Sequence, residues 1–150
     1  MKLGSKDFIF VGVQLLLFVA YVFDVGFWKF DIPRPIEIGF LITAVVGALV
    51  ILLALIQLNT SLSPFPSPKT NAELIRSGVY KYVRHPIYSG ILILLFSYGL
   101  YTTSSYKLGI ALILYALFYF KSAYEEERLE EVFTEYKSYK KNTGRFFPKI

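Results

Sequence analysis

The stretch IEIGFLITAVVGALVILLALIQL, residues 36 to 58, is 23 residues long and carries one charge, at Glu37. At about 1.5 Å per residue a helix of that length outruns a hydrocarbon core of about 30 Å. Three more apolar runs lie outward from it: FIFVGVQLLLFVAYVFDVGFW from Phe8 to Trp28, one from Ile87 to about Thr103, and one from Tyr106 to about Tyr124. The composition agrees, with 55% hydrophobic residues, 18% aromatic residues and a mean hydropathy of +0.50. A soluble domain of 150 residues needs far more polar surface. The expected fold is an all-α integral membrane protein with four transmembrane helices, over about 8–28, 36–58, 87–103 and 106–124.

The first run follows Lys2 and Lys6 but is too long for a signal-peptide core and lacks a small-residue cleavage site, so it is expected to stay in the protein. Cysteine is absent, which excludes disulfides, a thiolate nucleophile and a cysteine metal site. Basic residues set the orientation. Lys2, Lys6, Lys69, Arg76, Lys81 and Arg84 fall on one side of the expected spans, together with Lys121, Arg128, Lys137, Lys140, Lys141, Arg145 and Lys149. Only Lys29, Arg34 and Lys107 fall on the other. That bias places both termini and the 59–86 loop in the cytoplasm. The net charge of +5 follows this asymmetry, and no nucleic-acid partner is expected.

The cytoplasmic loop opens with NTSLSPFPSPKT, whose prolines block helix. Asn71 then reads as the cap of a short helix, NAELIRSG, that Gly78 would end. After the fourth run, Leu129, Val132, Phe133, Tyr136 and Tyr139 recur at helical spacing among charges. This predicts a C-terminal amphipathic interfacial helix over 125–142. No repeat divides the chain, so residues 1–150 form one membrane domain. Its polar material gathers on one face, where loop and terminal helix can roof a cavity.

The only histidine lies at the mouth of the third run, in SGVYKYVRHPIYSG from Ser77 to Gly90. Proline is favoured in the first turn of a helix and pushes its predecessor toward extended backbone, so Pro86 should start the helix with His85 just outside. The next amides are unpaired donors that suit an anion, and Arg84 adds a cation able to fork a carboxylate. The tyrosines supply flat faces with polar tips at headgroup depth. Lys81 and Tyr82 fit ordinary interfacial anchors equally well.

Gly78, Tyr80, Arg84, His85, Pro86, Tyr88 and Gly90 together resemble the GxYxxxRHPxYxG stretch of the isoprenylcysteine carboxyl methyltransferase and phospholipid methyltransferase superfamily. One hairpin later that superfamily has E-E-x-x-L-x-x-x-F, then tyrosines and R-x-x-P. This chain has Glu125, Glu126, Leu129, Phe133, Tyr136, Tyr139, and RFFP from Arg145 to Pro148. Thr134 stands where the superfamily usually has glycine. The resemblance covers roughly the C-terminal half.

It implies a methyltransferase that uses S-adenosyl-L-methionine and a lipophilic acceptor, isoprenylcysteine carboxylate-like or phospholipid amine-like. On that reading Tyr80, Tyr82, His85, Pro86, Tyr88, Gly90, Glu125 and Glu126 bind the cofactor, and Arg84, Glu126 and Arg145 serve catalysis. The start of the third helix with His85 would hold the methionyl carboxylate, and Glu125 or Glu126 the ribose hydroxyls or amino group. Acidic residues also favour a solvated helix start, which suits one of Glu125–Glu127. A carboxylate acceptor wants an arginine clamp, whereas an amine must lose a proton to a base such as His85 or a glutamate. Two alternatives are a sterol-reductase-like NADPH-binding membrane protein, which generally has many more spans, and a non-enzymatic scaffold, which leaves the RHP segment without a purpose.

Overall fold

A computed structural model describes residues 3–25, 28–58, 63–68 and 73–149. Five helices follow in order: α1 Ser5–Val22, α2 Arg34–Leu58, α3 Pro86–Tyr101, α4 Ser105–Val132 and α5 Tyr136–Asn142, with a 3-10 turn at Gly78–Lys81 before α3. Among the described residues there is no strand, only isolated bridges joining Lys29 to Ser104 and Val83 to Gly144.

α1, α2 and α4 are each long and apolar enough to cross a membrane. α3 is equally apolar, but its 16 residues reach only about 24 Å. Pro86 fixes its start. Its end is fixed by Thr102 and by Thr103, whose φ of 49° lies in the left-handed region. Ser104 then caps α4 by accepting from the Lys107 amide, closing the tight hairpin that the short link predicts. Leu15, Leu16 and Val19 of α1 and Ile42, Leu52 and Ile56 of α2 point outward. In water that surface would aggregate; in hydrocarbon it is the surface the solvent prefers.

Lipid tails are as apolar as leucine, so close packing and interhelical hydrogen bonds must hold the helices together. α2 crosses α3 at Gly47 and Gly90. A Cβ on Gly90 would fall 2.8 Å from the Gly47 carbonyl oxygen, and one on Gly47 would fall 2.6 Å from the Leu94 nitrogen. α1 is pinned by polar side chains instead: the Tyr21 hydroxyl donates to Leu95 O at 2.6 Å, and buried Lys107 donates to Tyr21 O at 2.9 Å. Leu92, Leu95, Ala111, Leu114 and Phe118 fill the space between.

Three expectations change. α1 stops at Val22 rather than near Trp28, because residues 28–29 run extended beside the start of α4, where Ser105 N donates to Trp28 O at 3.2 Å. The separate terminal helix over 125–142 is replaced by an unbroken α4 to Val132 and a seven-residue α5. Glu, Arg and Leu propagate a helix well, and nothing between Tyr124 and Val132 interrupts it. Glu73–Arg76 are not helical, and Gly78, at φ 59°, opens the 3-10 turn rather than closing a helix. Gln57 of α2 holds that turn through the Val79 amide at 2.9 Å. Asn71, the expected cap, lies outside the described residues.

The 63–68 segment lies over the start of α1 and against α4, where Pro64 O accepts from Lys121 Nζ. Buried Asp7 accepts from the Ser67 amide and hydroxyl at 3.0 and 3.1 Å, and the Phe8 and Phe65 rings meet edge-on at 5.2 Å.

Candidate functional site

The RHP segment is gripped by the chain's C-terminal end. Arg84 N donates to Gly144 O at 2.8 Å, His85 N donates to Arg145 O at 3.1 Å, and Ser89 Oγ donates to Phe146 O at 2.8 Å. This short parallel pairing brings RFFP against the start of α3, so the two sequence motifs meet in space.

At the junction sits Glu126 of α4, 0% exposed. Its Oε1 accepts from Arg84 Nε at 2.9 Å and His85 Nε2 at 3.2 Å, and its Oε2 from Lys140 Nζ at 3.2 Å and Arg145 Nη2 at 3.3 Å. Arg84 Nη1 also donates to the carbonyls of Lys140 and Thr143. One carboxylate thus ties α3, α4, α5 and the C-terminal segment into a single ion cluster. Contact with Glu130 and Glu126 raises the Lys140 pKa, which keeps that corner cationic.

Beside the cluster is a cavity of about 210 Å³, bounded by α1, α2, the 63–68 segment, α3, α4 and α5. Tyr80, Arg84, His85, Pro86, Tyr88 and Glu125 all line it. The Tyr88 ring stacks between His85 at 5.5 Å and Phe118 at 4.6 Å, and its hydroxyl donates to Glu125 Oε2 at 3.0 Å. Tyr136 and Tyr139 of α5 complete the aromatic wall. Burial pushes the Tyr139 hydroxyl up to about 12, so it stays protonated at physiological pH and donates to Tyr80 O.

The candidate residues therefore divide. Glu125 keeps a quarter of its side chain open toward the cavity, Glu126 is saturated by its own neighbours behind the wall, and Glu127 faces outward. Arg145 joins the Glu126 cluster and lies over the Tyr119 ring at 4.9 Å. Two candidates belong to neither the cavity nor the ion cluster. Tyr82 is exposed at the surface, as an interfacial anchor would be, and Gly90 is taken up by the crossing with Gly47.

The sequence reading missed Lys121, treating it only as an orientation charge. It is buried in α4 and lines the cavity, donating to Gln14 Oε1 at 2.7 Å and Pro64 O at 3.1 Å. Its one sequence signal is its place one helical turn before Glu125 at the end of an apolar run. A second, apolar cavity of about 480 Å³ was also illegible. It opens among α2, α3 and α4, and Leu92, Phe96, Leu112 and Phe146 are in its wall. The Phe146 ring also meets His85 and Tyr88 edge-on at 6.2 and 6.5 Å, so it stands between the two cavities. No group of His, Asp or Glu among the described residues is arranged to hold a metal.

No curated protein sequence is a significant match to the chain. The family model for phospholipid methyltransferase matches residues 36–136, from the first turn of α2 to the start of α5, and includes the RHP segment, Glu125 and Glu126. The chain is an integral membrane protein and belongs to the phospholipid methyltransferase family, within the superfamily of small membrane methyltransferases.

Proposed function

We propose that the protein transfers a methyl group from S-adenosyl-L-methionine to a lipophilic acceptor at the cytoplasmic membrane face. The observation that carries this reading is the pairing of two unlike cavities across one ring, Phe146. The first offers an aromatic wall from Tyr80, Tyr136 and Tyr139 with the Glu125 carboxylate beside it, which suits a nucleoside bearing charged groups. The second is apolar and suits a hydrocarbon chain. When bound, the cofactor supplies a methyl already activated by its sulfonium, so the protein's part is positioning.

On this reading the Glu126 cluster serves catalysis by fixing the walls. Arg84 and His85 hold the mouth of α3, and Arg145, next to Phe146 in sequence, keeps part of its side chain open for the acceptor. Both acceptor classes carry an anionic group, the carboxylate of an isoprenylcysteine or the phosphate of a phospholipid, and a guanidinium pairs either well. The acceptor enters from the bilayer and leaves its chain in the second cavity. Each methylene kept from water stabilises that arrangement by about 0.8 kcal/mol.

The test uses purified protein in liposomes, titrated with S-adenosylmethionine and with NADPH, then supplied with labelled methyl donor and acceptors of graded chain length. Saturable binding of the first cofactor alone is expected, with transfer that falls steadily as the chain shortens. Binding of NADPH instead, or transfer as fast to a water-soluble head-group analogue as to the full lipid, overturns the proposal.

A further inference from the structure

α4 presents two opposite charges to the first cavity, Lys121 and Glu125, one helical turn apart. Residues at i and i+4 are neighbours on a helix surface, with Cβ atoms about 5–6 Å apart. Yet these two do not pair with each other. Glu125 accepts from Tyr88 and lies 3.7 Å from His85 Nδ1, both through Oε2, and the Lys121 ammonium donates to two neutral oxygens, Gln14 Oε1 and Pro64 O. Among the described residues no carboxylate lies within ion-pair distance of Lys121 Nζ. The Tyr88 ring lies between the two groups, its face 5.5 Å from Nζ and its hydroxyl on Glu125.

A buried ammonium is costly unless an anion compensates it. An ammonium also has three donors, and two are spoken for among the described residues. The cavity wall therefore offers one cation that no carboxylate among the described residues contacts directly and, a turn further along, one partly open carboxylate. The chemical group that answers both at once is an α-amino acid zwitterion, which carries its carboxylate and ammonium on a single carbon. Ribose hydroxyls would answer Glu125 but leave Lys121 uncompensated.

We infer that Lys121 and Glu125 together read the α-amino-acid end of the methyl donor, Lys121 binding its carboxylate and Glu125 its amino group. This rests on the proposed use of S-adenosylmethionine and goes beyond it by assigning one end of that ligand to one face of α4. It also gives the Lys121 bonds to Gln14 and Pro64 a purpose. They aim the ammonium and couple the segment over the cavity to the charge that binds there.

Two probes separate this from a merely structural lysine. S-adenosylhomocysteine carries the zwitterion, and 5′-methylthioadenosine has the same nucleoside without it. Calorimetric titration of the full chain in detergent gives the ratio of their affinities. Wild type should prefer S-adenosylhomocysteine. Lys121→Gln and Glu125→Gln should each weaken it about tenfold or more and leave 5′-methylthioadenosine unchanged, since each loses a charge-assisted bond only the zwitterion makes. Gln14→Ala, which keeps both charges, should preserve most of the preference. Equal weakening of both probes by Lys121→Gln would make the lysine a pin for the roof and overturn the inference. No change with either probe would overturn it too, and would hand the carboxylate to the start of α3. Should Lys121→Gln not fold, Glu125→Gln decides the matter alone, an unaltered preference refuting the assignment. If wild type binds neither probe, the cofactor reading itself fails, a result distinct from all of these.

Discussion

Replacing Glu126 by glutamine keeps the shape of the side chain and removes the charge on which four basic groups converge. The partners are not equally dependent on it. The Lys140 side chain is 38% exposed and can turn to water, whereas Arg84 and His85 are only 8% and 5% exposed. Removing one partner of a buried ion pair costs about 3–5 kcal/mol, because the other charge is left uncompensated. Arg84 retains the carbonyls of Lys140 and Thr143, which places the cost near the lower end, about 3 kcal/mol. At about 2–4 °C per kcal/mol for a chain of this size, the midpoint of thermal unfolding should fall by roughly 6–12 °C. Unfolding in detergent can be followed by size-exclusion recovery after heating. Lys140→Met is the control, and its exposed pair should cost no more than about 1 kcal/mol. Were Glu126→Gln to melt like wild type yet lose S-adenosylhomocysteine binding, Glu126 would be a ligand contact, and its assignment as the lock of the fold would be refuted.

Gly90→Val should destabilise the protein by about 1–3 kcal/mol through overpacking against Ile51 and Gly47, read as a lower unfolding midpoint; wild-type stability would dissolve the close crossing. Asp7→Asn removes the charge from a carboxylate that accepts from the Gly4 amide and from Ser67, so limited proteolysis should cut the 63–68 segment sooner. An unchanged digestion rate would show that the contacts to Lys121 and Phe8 suffice. The orientation is testable because the chain has no cysteine of its own. Cysteines at exposed Lys29 and Lys137 should react with an impermeant reagent from opposite membrane faces, and labelling of both from one face would refute the topology.

The sequence by itself determined the membrane character, the helical class and the two motifs. Those properties are local. A 23-residue apolar run has few ways to satisfy its backbone in hydrocarbon except as a helix, and Pro86 starts α3 wherever that helix is placed. What tertiary structure decided was the division of labour within those motifs. Glu125 and Glu126 are adjacent in sequence, but the 100° step between successive helix residues turns one to the cavity and the other into the ion cluster. Gly90 belongs to a motif yet serves the α2 crossing, because its partner Gly47 lies 43 residues away (90 − 47) on a helix with no motif. The unbroken α4 hid from a reading that took a change from apolar to charged residues as a boundary. Lys121 read as an orientation charge because nothing local reveals that Gln14 and Pro64 fold over it. Such contacts join residues more than 50 positions apart, and a pattern along one helix cannot report what packs against it.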